Sequence, residues 1–500
     1  MTAFVAGAPS GTEQWRQTDW TAVRKRVYRL QMRIAKAIRN NRWNKAKALF
    51  HLLSRSFSAK QLAVKWVTSN KGSRTPGIDG IRWKTPHQLW KAVQTLRSHG
   101  YRAQPLRRIM IPKKQKGQKR PLGIPTLYDR AMQALYALGL KPIAETLADP
   151  NSYGFREKRS LHDAVKQGFI VLAQKRSAQW ILEADIKACF DRIDHDWLLD
   201  NVPLPRHILR QWLKSGYVSE LTLHQTEAGT PQGGIISPIL CNMTLDGLET
   251  LIIKGRNKKQ RKLNIIRYAD DFIVTGACPD DLRNEIQPEI ERFLADRGLT
   301  LSEEKTHIVH IQDGFNFLGF TFRKFKQKLI VTPQRSKAKT LRDKVKALLK
   351  RCRGHAFQSM LFQLNRVLRG WAYAHRHVVA KALMNKLDGF IFQRVRHWLR
   401  GEHPSRSWAW VVKRYRKRFN GRWQWGQSYV NKQGKLQSVF LFRLADLPIR
   451  YHTKVRSKAN PYDPNYREYF RDRYIRQQVL KARDSLFLSA SSFDKLARWR

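Results

Sequence analysis

Acidic residues are scarce in this 500-residue sequence. Only 38 Asp and Glu stand against 96 Lys and Arg, a formal net charge of +58. Between Asp19 and Asp79 there is no acidic residue at all. A chain so unbalanced repels itself, and its natural counterion is a polyanion. This argues against an ordinary small-molecule enzyme and for a nucleic-acid partner. Cysteine is rare too. Cys189, Cys241, Cys278 and Cys352 form no CxxC pair and no framework, which excludes a disulfide-stapled secreted protein. No apolar run approaches the roughly 20 residues of a membrane span, so no membrane partner is expected. The opening MTAFVAGAPSGTEQ lacks the basic region, long apolar core and arginines of a signal or transit peptide. A soluble, reducing compartment is expected.

The length points to about three domains. Within the acid-free stretch, Val23, Val27, Leu30, Ile34 and Ile38 recur at spacings of four and three, one face of a helix. Arg24, Lys25, Arg29, Arg33, Lys36 and Arg39 cover much of the rest. With no acidic neighbours to pair with, they read as phosphate-binding rather than as a merely solvated face. NKGSRTPGIDG (70–80) is a loop. Residues 107–125 predict a basic hairpin, followed by a helix from Asp129 to Leu147. Residues 180–186 predict an apolar strand, and 263–275 two β-rich runs around an acidic turn. Residues 315–332 read as another hairpin. Past Pro333 the pattern is helical, with stripes at Leu341, Val345 and Leu348 and at Leu383, Leu387, Ile391, Val395 and Trp398. From Ser405 to Trp425, Trp alternates with Lys and Arg. That region is read either as a small core with Trp anchors or as a nucleic-acid surface. The core reading is favoured for Trp408 and Trp410, and nucleic-acid contact for Lys413, Arg414, Arg416, Lys417 and Arg418.

The chemistry concentrates on Tyr268-Ala269-Asp270-Asp271. Adjacent carboxylates among apolar strands repel each other, and a divalent metal relieves that cost. Taken alone, the turn favours the metal only slightly over a simple solvent-exposed hairpin. Asp185, however, ends an earlier apolar strand. Three carboxylates from two strand ends can hold two Mg²⁺ ions, which clamp the attacking and leaving oxygens of a phosphoryl transfer. Gly229-Thr-Pro-Gln-Gly-Gly234 lets backbone approach a nucleotide, and Gln232 offers an amide there. Lys113 and Arg120 of the basic hairpin suit a triphosphate. Phe190 suits a ring closing over the sugar 2′ position. Lys305 suits a proton donor to departing pyrophosphate. Taken singly, Phe190 is more often a core residue and Lys305 more often a surface one.

In order, ADIKACFDRIDHDWL, GTPQGGIISPIL, RYADDFIV, GLTLSEEKT and FNFLGF resemble the reverse transcriptases encoded by bacterial group II introns. The strings NKGSRTPGIDG and IPKKQKGQKRPLGIPTLYDRAMQ match that family's N-terminal block and fingers. LNRVLRGWAYAHR and LDGFIFQRVRHWLRGEHPSRSWAWVVKRY resemble its thumb, or maturase, domain. The resemblance covers about residues 20–460. It implies that Asp185, Asp270 and Asp271 are metal ligands, with Ile186 adding a backbone carbonyl. It makes Phe190 the gate against ribonucleotides and Lys113 and Arg120 the triphosphate contacts. Gln232 and Tyr268 fall at the nucleotide site, and Phe317, Leu318, Gly319 and Phe320 match the primer grip.

The implied fold is α+β: a right-hand polymerase with fingers and an antiparallel-sheet palm, then an α-helical thumb and a small basic C-terminal region. The segments are 1–90, a basic N-terminal extension; 91–332, fingers and palm; 333–425, thumb or maturase; and 426–500, a basic DNA-binding region. Implied partners are group II intron RNA, target DNA with its primer, and dNTP, with a homodimer left open. The implied location is cytoplasmic, on the nucleoid, from a bacterial or organellar gene. Many relatives end in a zinc-stabilised HNH nuclease. No Cys follows Cys352 and residues 460–500 hold neither Cys nor His, so no nicking activity is expected. Two alternatives stay open: a splicing cofactor with dispensable polymerase activity, and a host-domesticated reverse transcriptase in phage defence.

Overall fold

The structure is a computed structural model and describes residues 10–488 except 113–118, 220–221, 232, 420 and 432. The chain divides into two compact units. The first holds the chain up to Gln167, Ser177–Val309 and Val455–Glu468; the second holds Gly168–Arg176, His310–Lys454 and the chain from Tyr469. This division does not follow the four sequence segments.

After a short capped helix, Gly11–Arg16, the first unit continues with helices α1 (Trp20–Arg39), α2 (Trp43–Arg55) and α3 (Phe57–Thr68). Asp19 caps α1, its carboxylate accepting from the amides of Thr21 (2.8 Å) and Ala22 (3.1 Å). The acid-free stretch therefore starts behind an acidic N-cap, where negative charge suits the helix dipole. Val23, Val27, Ile34 and Ile38 are buried as the spacing predicts, and Leu30 is half-buried. Gln31 is buried beside them, Nε2 donating to Leu138 O at 2.7 Å. Leu138 lies on α4 (Leu127–Leu147), which is buried on nearly every face and is the central helix of the unit. Each fully buried aliphatic side chain here, such as Ile34 or Leu135, stabilises the unit by about 1.5–3 kcal/mol. The opposite face of α1 exposes Arg24, Lys25, Arg29, Arg33 and Lys36. Arg39 differs from the expectation, because its guanidinium pairs with Asp463.

The strands of this unit are β1 (Leu106–Pro112), β2 (Lys119–Ile124), β3 (Trp180–Asp185), β4 (Tyr217–Ser219), β5 (Thr222–His224), β6 (Asn264–Tyr268), β7 (Asp271–Gly276) and β8 (His307–His310). They form two four-stranded sheets, ordered β2-β1-β4-β5 and β6-β7-β3-β8. β1 and β2 are the predicted antiparallel hairpin, with Ile111 opposite Arg120. The first sheet is mixed, since β1 and β4 pair in parallel. In the second, β3, β7 and β6 pair antiparallel. Helix α5 (Ser237–Leu245) packs on α4. All four cysteines are free thiols.

The second unit opens with β9 (Phe315–Phe317), β10 (Phe320–Phe325) and β11 (Lys328–Pro333), a three-stranded sheet where one hairpin was expected. Two tight turns make the difference. Leu318 and Gly319 take φ of 52° and 85°, and Lys326 and Gln327 take 43° and 67°. Paired left-handed residues are the hairpin turn geometry, but only one of these four is a glycine, so the usual signal is weak. Helices α6 (Arg335–Arg351), α7 (Phe357–His375) and α8 (Lys381–Glu402) follow. Their stripes are buried as expected, except that Met384 rather than Leu383 begins the one on α8. The C-terminal region is not wholly helical. β12 (Arg416–Phe419), β13 (Arg422–Val430) and β14 (Leu436–Phe440) form a sheet that crosses residue 425. Strand alternation does not explain the Trp pattern: Trp423 and Trp425 lie two apart, on the same strand face, yet Trp425 is buried and Trp423 exposed, and Trp408 packs edge-on against Trp425 at 5.9 Å. Helix α9 (Arg467–Leu488) carries the described chain to its end. Among the described residues, no helix is long and apolar enough to cross a membrane.

Candidate active site

Register puts the carboxylates together. Asp185, the last residue of β3, pairs directly with Asp271, the first of β7. Tyr268 pairs with Asp271 from the other side. Ala269 and Asp270 are thus the two residues of a tight hairpin turn, and such turns require positive φ. Ala269 supplies it, at 59°.

Two supports hold this turn. The first is the segment Asn151–Arg156, which runs beside β6. Arg267 N donates to Asn151 O at 3.0 Å, and Tyr153 N to Arg267 O at 2.9 Å. Gly154 sits so close that a Cβ on it would lie 2.3 Å from Ala269 N and 2.9 Å from Tyr268 C. Behind the segment, Asn242 of α5 donates from Nδ2 to Gly154 O at 2.8 Å and accepts from Arg267 Nη1 at 3.2 Å. Arg267 is buried and pairs also with Asp246. The second support follows β3. Ser302 N donates to Asp185 O at 2.8 Å, and Ile186 bridges to Leu301. These contacts place the short helical turn Glu303–Lys305, from which Lys305 Nζ donates to Asp185 Oδ2 at 2.5 Å.

Burial, then the neighbouring Asp270 and Asp185, pushes the Asp271 carboxyl up to about 7. Burial chiefly raises Asp270 as well; Asp185 adds to this, while Lys305 and Arg120 oppose it. The bond to Asp185 raises Lys305, which keeps its ammonium protonated. The hard oxygen donors of these three carboxylates fit a divalent cation. Among the described residues, no three His, Cys, Asp or Glu side chains are already closed around one point. Asp185 leans on Lys305 instead.

Phe190 lies half-buried on the short helix Cys189–Arg192. The Gly229-Thr230 backbone is laid over that helix: Gly229 N donates to Ile193 O at 2.8 Å and Thr230 N to Phe190 O at 2.6 Å. Gly229 has φ of 86°, and a Cβ there would lie 2.6 Å from the Asp191 backbone. His195 Nε2 donates to Gly229 O at 2.8 Å. Gly233 touches β2 in the same way, with Gly123 O at 2.5 Å from its would-be Cβ. Arg120 is exposed on β2, and its charge reaches Asp270. Lys113 and Gln232 lie outside the described residues. Phe317, Leu318, Gly319 and Phe320 belong to the second unit, at the turn between β9 and β10. Sequence reasoning missed Gly154, Phe155 and Asn242. A glycine between two aromatics in NSYGFREKRS was the available signal.

Facing carboxylates at the turn of an antiparallel sheet, next to a basic hairpin, are the layout of a nucleotidyl-transfer palm. The comparisons agree. Residues 111–322 match the reverse transcriptase (RNA-dependent DNA polymerase) family, residues 15–96 its N-terminal domain, and residues 338–416 the group II intron maturase-specific domain. The chain is 30% identical to the group II intron-encoded protein LtrA of Lactococcus lactis over 347 residues, covering 56% of this chain and 57% of LtrA. It is 31% identical to protein YkfC of Escherichia coli over 337 residues, covering 57% of this chain and 87% of YkfC. The chain belongs to the reverse transcriptase–maturase family of group II introns. It matches little more than half the length of LtrA.

Proposed function

We propose that this chain is an RNA-directed DNA polymerase that binds a group II intron RNA, assists its splicing and copies it at a DNA target. The pairing of Asp185 with Asp271, next to Asp270, carries the reading. In the proposed reaction a primer 3′-OH attacks the α-phosphate of a dNTP and pyrophosphate leaves. Asp185, Asp270 and Asp271, with the Ile186 carbonyl, are the residues that would hold two Mg²⁺ ions. When bound, those ions lower the pKa of the hydroxyl and stabilise the leaving group. Lys305, held protonated by Asp185, gives a proton to the departing pyrophosphate. Arg120, with Lys113, gathers the triphosphate. Gln232 and Tyr268 serve the nucleotide, and Phe190 lies against the sugar 2′ position. Phe317, Leu318 and Gly319 grip the primer. In this reading the helices past Pro333 are the thumb of a right hand, and residues 426–500 contact DNA.

The test is extension of a DNA primer on an RNA template with Mg²⁺ and dNTPs, wild type against a folded Asp270→Ala/Asp271→Ala variant. Synthesis by the wild type alone supports the enzyme. The match to the maturase-specific domain favours one second reading, a splicing cofactor whose polymerase is dispensable. No synthesis from a folded, RNA-binding wild type would turn the conclusion to that reading.

A further inference from the structure

We propose that Phe155 is a positioning residue for Phe190, and so a second determinant of the choice between deoxy- and ribonucleotides. The inference rests on the reading of Phe190 as the sugar gate. Phe155 has φ of 57°, a conformation that a bulky side chain rarely adopts. Such strain persists where the surroundings over-determine it, and it clusters at functional sites. Both neighbours of Phe155 are pinned. Gly154 is locked between the Ala269 backbone and Asn242. The guanidinium of Arg156 donates to both carboxylate oxygens of Glu145 (2.9 and 2.7 Å) and to the carbonyls of Asp149 (2.5 Å) and Ser152 (3.0 Å).

All this anchoring presents a phenyl ring that does not enter the core, since Phe155 is 53% exposed. Strain and exposed apolar surface both work against folding, so packing does not account for the residue. The ring stands edge-on to Phe190, centroids 6.2 Å apart and planes at 73°, a favoured aromatic geometry. The Phe190 backbone is held from the other side by Thr230 N. Phe155 thus braces the ring of Phe190, which the backbone contacts do not hold and which also packs on the core. The same short segment also seats the Ala269-Asp270 turn through Gly154, so gate and carboxylates are referenced to one support.

The experiment compares kcat/KM for a dNTP and the matching rNTP in the wild type, Phe190→Ala, Phe155→Ala and the double variant, using full-length protein. Phe190→Ala should lower discrimination. Phe155→Ala should lower it by roughly two- to tenfold, the size of a lost aromatic pair, chiefly by admitting the rNTP. In the Phe190→Ala background Phe155→Ala should change nothing further. Phe155→Tyr, which keeps the ring, should restore the wild-type ratio. Phe155→Gly relieves the backbone, so it should hold or raise the melting temperature and still lose discrimination, which a merely structural role would not produce. Unchanged discrimination in Phe155→Ala, with Phe190→Ala impaired, overturns the inference and leaves the gate standing. So do additive losses in the double variant. Unchanged discrimination in Phe190→Ala removes the gate and this inference together.

Discussion

Asp185 and Asp271 end the β3–β7 ladder as direct register partners, so two carboxylates face each other across an antiparallel pair. Like charges so placed destabilise a sheet. Here the cost shows as an Asp271 carboxyl pushed up to about 7, by burial first and by its acidic neighbours after. The folded state then binds that proton more tightly than the unfolded chain does. The resulting stability is present at low pH and is lost as pH rises from about 4 to about 7. A bound divalent cation offsets the loss. Mg²⁺ should therefore raise the melting temperature more at about pH 8 than at about pH 5. Asp271→Asn should flatten that difference, stabilise the metal-free protein by about 1 kcal/mol and abolish primer extension. An Mg²⁺ shift of equal size at both pH values in the wild type would count against the carboxylate pair as its origin.

Gly154 leaves no room for a side chain against the Ala269-Asp270 turn. Its missing Cβ leaves room for Ala269 N, which a methyl would approach to 2.3 Å. The obstacle is backbone, so the turn itself must move. Displacements of about 1 Å at reacting groups cost roughly a hundredfold in rate. Gly154→Ala should lose primer extension on about that scale, while intron RNA binding by the variant stays near wild type. Wild-type synthesis by the alanine variant would mean that the turn is not held by this segment.

Much of this was legible in the chain itself, for a local reason. The Asp270-Asp271 hairpin shows in the β-rich runs that flank it, the burial of Val27 and Ile34 in a 3.6-residue period, and the basic hairpin in its turn residues. What escaped was set by long-range or unmarked contacts. Gly154 meets Ala269 across more than a hundred residues, and the aromatics that flank it mark the glycine without naming that partner. The turn at Lys326-Gln327 has no glycine, so two strands looked like one. Met384 replaces Leu383 because α8 begins its stripe one residue later. Arg39 looked free because its partner, Asp463, lies 424 residues away.

Lys305 serves two opposed ends in this arrangement. Its ammonium donates to Asp185 Oδ2, the oxygen that the proposed function gives to a cation, and the same proposal makes it the proton donor to pyrophosphate. Lys305→Ala should thus lower the Mg²⁺ concentration for half-maximal activity while slowing the maximal rate by about 10²-fold or more. Stopped-time extension assays across an Mg²⁺ titration separate the two effects. Weaker Mg²⁺ dependence together with a wild-type maximal rate would leave Lys305 as a charge partner of Asp185 and no more.

The N-terminal helix offers a cleaner test of RNA contact by charge than by deletion. α1 buries Val27 and Ile34 in the core of the first unit, so removing it would damage the fold along with the basic face. Lys25, Arg29 and Arg33 are exposed and can be neutralised without touching that core. Replacing all three with Gln should leave the melting temperature within a degree or two and weaken binding of intron RNA. It should also lower the slope of log Kd against log salt by about two, at roughly 0.7 per phosphate contact. Arg39→Gln is the internal control. Its guanidinium is committed to Asp463, so it should alter stability and leave the slope alone. An unchanged slope in the triple variant would return this face to ordinary solvated surface.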